Sequence, residues 1–207
     1  MINKRGVRMR RVRIDLIVVL ASGLWSFQPT AIAQQSFVAK PLAEKKVEEL
    51  PAGPLFWRIE NFAALPQAQA AASPWSLVAE SAGKVWLFTL GPAGGSSAGG
   101  TKVAEVGPIP RVDASQYLLR LMDVSGPPGS ISPVHTHPGS EAFFVLAGEQ
   151  SIRSSHGEMR VKVGQAEAGH GADMPMQASS SGSTDLHSLV MFVVDATKPF
   201  SSPAAFP

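Results

Sequence analysis

Short runs of β-type residues, each bounded by turn chemistry, make up most of the hydrophobic pattern of the chain. They cover 55–62, 84–90, 102–106, 116–124, 141–146, 149–154, 159–163 and 186–194, with Gly91-Pro92, Gly107-Pro108, Pro138-Gly139 and His156-Gly157 among the turns between them. Many short strands with frequent turns predict an all-β domain, a sandwich or a barrel. An Ala-rich stretch over 63–79 has helical character, but Pro66 and Pro74 break it. Residues 34–54 are polar, with Lys40, Glu44, Lys45, Lys46, Glu48 and Glu49, and read as an arm without chemistry. The glycine-rich segment 93–100 lacks the Lys-Ser/Thr and following helix of a phosphate-binding loop, so it reads as a flexible connection.

A different pattern opens the chain. Basic residues up to Arg13 precede an apolar run over 14–27, and Pro29 then leads into Ala31-Ile32-Ala33. This is the layout of a cleavable export signal, with small residues where signal peptidase reads the chain, so cleavage is expected after Ala33. Fourteen residues rise only about 21 Å as a helix, short of the roughly 30 Å hydrocarbon core, so no stable membrane anchor is expected after processing. The mature protein is expected in the periplasm or outside the cell, by the general or the twin-arginine route (Arg10-Arg11).

Composition then narrows the chemistry. With 207 residues, 44% hydrophobic and 16% charged, the chain has the balance of one or two globular domains. It has no cysteine, which excludes disulfides, thiol nucleophiles and thiolate metal sites. The net charge of +2 misleads, because six of the 18 basic residues and one of the 16 acidic ones precede residue 34, leaving the remainder at −3. No basic cluster follows Arg13, so nucleic acid is not an expected partner.

The candidate chemistry lies in 129–148, GSISPVHTHPGSEAFFVLAG. On a strand of period two, His135 and His137 point to the same face. Glu141 follows across the Pro138-Gly139 bend, able to turn back to the same point, and Phe143 and Val145 share its face and are expected to line an apolar cavity. Two imidazoles and a carboxylate with open positions can hold a divalent transition metal and leave room for a substrate or dioxygen.

Gly129, His135, His137, Glu141 and Gly148 match every fixed position of G-x5-H-x-H-x3,4-E-x6-G, so the segment resembles the first motif of the cupin superfamily. The resemblance implies an antiparallel jelly-roll barrel over about 84–199, following an N-terminal arm and extra strand over 34–83 and leaving a tail over 200–207. It also implies a metal (iron, copper, manganese or zinc) inside the wider mouth. The second motif departs from the family: after Gly164, the expected Pro-x-Gly-x-x-His reads Gly171-Ala172-Asp173-Met174-Pro175-Met176. Met176 then falls at the fourth ligand position, where a soft thioether suits copper(I) or a long bond to iron; equally, it fills the cavity wall. His170 and His187 are alternative fourth ligands, the latter decided by strand register. His156, in a hairpin turn, reads as surface; Trp57, Trp75 and Trp86 read as packing.

Two functions compete on this site. One is a metal-dependent enzyme on a small molecule, a dioxygenase-type oxidoreductase first and a lyase, decarboxylase or isomerase next, with Glu141 alternating between ligand and base. The other is a non-catalytic module that holds a metal or small ligand. Asp173, His170 or His187 facing the cavity would favour catalysis, and a wall of Phe143, Val145 and Met176 would favour binding. A homodimer is an expected partner arrangement, since the arm over 34–62 could cover the sheet edge of a second copy.

Overall fold

The computed structural model of the protein describes Met1 and residues 36–207. The expected export signal over 1–33 lies outside the described residues. No helix among those described is long and apolar enough to cross a membrane.

Three antiparallel sheets make up the domain. The first joins β1 (Val38–Val47), β6 (Tyr117–Gly126), β13 (Leu186–Asp195), β8 (Gly139–Ala147) and β11 (Ala166–Ala168), in that order. The second joins β10 (Gly157–Lys162), β9 (Glu149–Ser154), β12 (Met176–Ser180), β7 (His135–Thr136) and β14 (Ser202–Pro203). The third joins β3 (Ser76–Ser81), β4 (Lys84–Gly91), β2 (Leu55–Phe62) and β5 (Thr101–Ile109). One short helix, α1 (Leu65–Ala71), starts with Pro66 in its first turn and stops before Ser73-Pro74. The all-β expectation holds.

The first sheet lies between two cores. Met122 and Val124 of β6, Phe143 and Val145 of β8, and Val190 and Phe192 of β13 face the second sheet around Ile152, Val161 and Met176. The alternate residues, Leu119, Leu121, Ala142, Phe144, Leu189 and Met191, pack against Trp57, Ile59, Trp86 and Phe88 of the third sheet. A sheet buried on both faces needs apolar side chains at successive positions, and β13 supplies LVMFVV without alternation. Trp57 and Trp86 are packing residues, as expected.

Two boundaries expected from the sequence are corrected. The barrel does not begin at residue 84, because β4 and β5 pair with β2 and β3 in the separate sheet, while the earlier β1 and the later β6 pair in the barrel wall. Residues 200–207 are not a free tail, because Ser202 and Pro203 pair with Thr136 and His135. The polar arm is itself a strand, β1, and it covers the edge of its own sheet at β6.

Ile59 is fully buried between the third sheet and the barrel. Ile59→Val removes one methylene there and should lower the free energy of unfolding by about 1 kcal/mol, measured by urea denaturation. An unchanged midpoint would mean that this face carries no packing energy.

Candidate metal centre

His135 sits on β7, a two-residue strand held on both sides: Met176 of β12 is its partner on one edge and Pro203 of β14 on the other. His137 follows two positions on, and the two rings lie 4.9 Å apart between centroids at 88°. Each imidazole is oriented by a backbone carbonyl. His135 Nδ1 is 2.8 Å from the Pro133 oxygen and His137 Nδ1 is 2.7 Å from the Phe200 oxygen. A carbonyl only accepts, so in both rings Nδ1 carries a proton and donates, which leaves Nε2 as the nitrogen that can reach a metal. This is the arrangement that outer partners impose on metal-binding histidines.

His137 packs against the rings of Phe192 and Phe200, each 4.7 Å away between centroids. Burial pushes its pKa down to about 4, and the nearby His135 and Arg120 push the same way against the Phe200 carbonyl. It is therefore a neutral donor at physiological pH.

Glu141 enters through the bend at Gly139, where glycine permits close approach: a side chain there would collide with the Val193 carbonyl on β13. From that bend the strand carries Glu141 and Phe143 inward, and Gly169 closes over them. The Gly169 amide donates to the Glu141 backbone oxygen at 2.9 Å, and a Cβ on Gly169 would lie 2.6 Å from Glu141 Cγ. Glu141 is 4% exposed and its Oε1 has no hydrogen-bond partner. Burial raises its pKa to about 8, so alone it holds a proton at neutral pH.

His135, His137, Glu141 and Met176 line one cavity of about 430 Å³, within the range of small-molecule sites. The walls include Met122, Val124, Phe143, Val190 and Phe192, with Ser132 and Gln150 as polar exceptions. Val145 is buried in the same core but does not reach the cavity surface. Phe37 and Ala39, at the arm, and Phe200 and Ser201, at the chain end, also line it. These four were missed from sequence, where both segments read as polar or loose; the apolar Phe37 and Phe200 within them were the available signal.

The three side chains share the cavity without closing into a cluster: among the described residues no three His, Asp or Glu side chains meet at metal-binding distance. The donor set nevertheless fits a divalent transition metal. Two carbonyl-oriented imidazoles present free Nε2 atoms, and the buried carboxyl oxygen lacks a partner that a cation would provide.

The alternative ligands lie elsewhere. His187 turns to the opposite face of β13, its Nε2 2.9 Å from Asp123 Oδ2 and 3.3 Å from the Ser81 hydroxyl. That register is set by the apolar side chains of β13 that share this face, Leu189 and Met191. His170 and Asp173 do not line the cavity either. The Asp173 amide donates to the His137 carbonyl at 2.8 Å, and its φ of 61° marks a tight turn. His156 is exposed, as expected.

No family model and no curated protein matches the chain. Among solved structures it is similar to the DMSP lyase DddQ of Ruegeria pomeroyi DSS-3, 24% identical over 42% of this chain and 43% of that one, at a TM-score of 0.36. It is similar to a cupin-like protein of Thermotoga maritima, 15% identical over 42% and 65%, at 0.38. A Klebsiella pneumoniae protein with a double-stranded β-helix domain is 19% identical over 42% and 75%, at 0.36. The chain spans about half the length of the DMSP lyases it matches. With its His-x-His-x3-Glu motif carried on the facing antiparallel sheets of a barrel, the chain resembles the cupin superfamily.

Proposed function

We infer that the barrel binds a divalent transition metal through His135, His137 and Glu141 and takes a small, largely apolar organic ligand beside it. The observation that carries this reading is the buried, unpartnered Glu141 oxygen on the cavity that two imidazoles also line. When bound, such a metal supplies Lewis acidity and open coordination positions for a substrate oxygen or for dioxygen. His135 and His137 would each donate through Nε2, since Nδ1 of each ring donates its hydrogen bond to a backbone carbonyl. Glu141 is the group of the triad able to hold or release a proton at Oε near neutral pH. The apolar walls orient a hydrophobic body and exclude water. Met176 forms the wall next to His135, at the edge of the donor set.

The reaction class that the family resemblance implies first is a dioxygenase-type oxidation of an enolisable or anionic small molecule. A non-catalytic metal- and ligand-binding module is favoured by one observation: Phe143 and Met176 line the cavity, while Asp173, His170 and His187 do not. Dioxygen uptake by iron(II)-loaded protein against a panel of diketones, catechols and carboxylates separates the two. Uptake that disappears in the His135→Ala/His137→Ala variant assigns the enzyme. Saturable binding of a panel member without uptake assigns the module. Neither uptake nor binding would contradict a small-molecule site.

A further inference from the structure

Outside the barrel cavity, the hairpin turn between β9 and β10 meets the loop that leads into β12. Two imidazoles come together there, and a thioether lies beside the turn. The rings of His156 and His170 lie 6.1 Å apart between centroids, inclined at 70°. Neither lines the main cavity. Met174 lies beside the same turn. The β9–β12 ladder ends at the Met176–Ser154 pair, so the residues just before Met176 run beside the β9–β10 turn. The Ser155 hydroxyl lies 3.6 Å from the Met174 sulfur, holding it at that level.

His170 has a buried polar atom that nothing yet described satisfies. Its Nε2 is enclosed by protein and has no hydrogen-bond partner. An enclosed polar atom of this kind costs on the order of 1–3 kcal/mol unless something pairs with it. Burial, and then the neighbouring His156, hold its pKa below the ordinary imidazole value, so the ring is neutral and its lone pair is available. The loop is also fixed at both ends. Gly169 donates to the Glu141 carbonyl at 2.9 Å and Asp173 to the His137 carbonyl at 2.8 Å, which places His170 between two anchors and Met174 beside the second.

The spacing selects the ion. Two imidazoles that share an ion through bonds of about 2.0 Å hold their ring centres roughly 5–6.3 Å apart, the upper end corresponding to a nearly linear N–metal–N angle. The observed 6.1 Å is near that end. A wide angle between two imidazole nitrogens, with a thioether as third donor, suits a soft closed-shell monovalent ion. No third His, Asp or Glu converges on this pair among the described residues, so a hard divalent ion would lack donors.

We propose that His156, His170 and Met174 form a second metal site, selective for copper(I), on the outer side of the barrel mouth. It is independent of the metal in the main cavity. The full chain carrying His135→Ala/His137→Ala isolates it. Titrated anaerobically with copper(I) held by bicinchoninate, this background should take one equivalent. Adding His170→Ala should abolish that equivalent. Met174→Leu, which keeps size and removes the donor, should weaken binding at least about tenfold. Where His170→Ala alters the far-ultraviolet circular dichroism, the exposed His156→Ala replaces it, with the same expected loss. A background protein that takes no copper(I), or one whose affinity is unchanged by His156→Ala or by Met174→Leu, would overturn the site.

Discussion

His137→Ala should lower the affinity of the cavity for a divalent metal by at least about 100-fold, because changes to partners outside the coordination sphere alone cost 10–100-fold and this change removes a donor itself. His137 is also the donor whose state the fold controls most tightly. The Phe200 carbonyl orients it, two phenylalanine rings enclose it, and burial keeps it neutral. The competition assay that measures metal affinity should be paired with thermal unfolding, since the alanine also leaves a gap beside Phe192 and Phe200. Loss of metal with a preserved fold is the expected result. A variant that binds as the parent does would remove His137 from the site.

The metal-free protein should lose stability between pH 6.5 and 8, by about 2 kcal/mol, and Glu141→Gln should abolish that loss. The sign follows from Glu141, whose carboxyl titrates at about 8 in the fold against 4.5 when unfolded. Across that interval the folded protein holds a proton that the unfolded chain has released, so its contribution is full below pH 4.5 and is lost as pH rises through 8. His137 acts in the opposite direction, since its pKa falls from 6.5 to about 4, and most of its contribution is gained by pH 6.5, with only about 0.4 kcal/mol added between there and pH 8. Above pH 6.5 the Glu141 effect is the larger of the two. Urea unfolding of chelated protein at pH 6.5, 7.25 and 8 measures it. The same proton opposes metal binding, so affinity should rise up to about tenfold per pH unit below pH 8. A flat stability profile in the parent would mean that Glu141 is solvated rather than enclosed.

The site was legible in the sequence because its spacing is local. His135, His137 and Glu141 lie within seven residues, and strand periodicity with one glycine bend is enough to bring them to one cavity. Met176 was also placed at that wall, through a pairing with His135 across 41 positions that only the downstream turn hinted at. What the sequence concealed depended on distant pairing. The third sheet looked like the start of the barrel, since β4 and β5 have ordinary strand patterns and a pattern does not say which strands are partners. A signal was present in β13 and β8, whose unbroken apolar runs require cover on both faces and so an extra layer. The chain end that orients His137 carries no such signal, because a backbone carbonyl from Phe200 leaves no trace in residue type.

Elemental analysis of the full protein, purified without added metal beside its His135→Ala/His137→Ala variant, tests the metal centre most directly. About one equivalent of iron, copper, manganese or zinc in the parent that disappears in the variant is the expected result. Equal metal in both proteins, or none in either after incubation with each of those ions, would contradict a metal centre in this barrel.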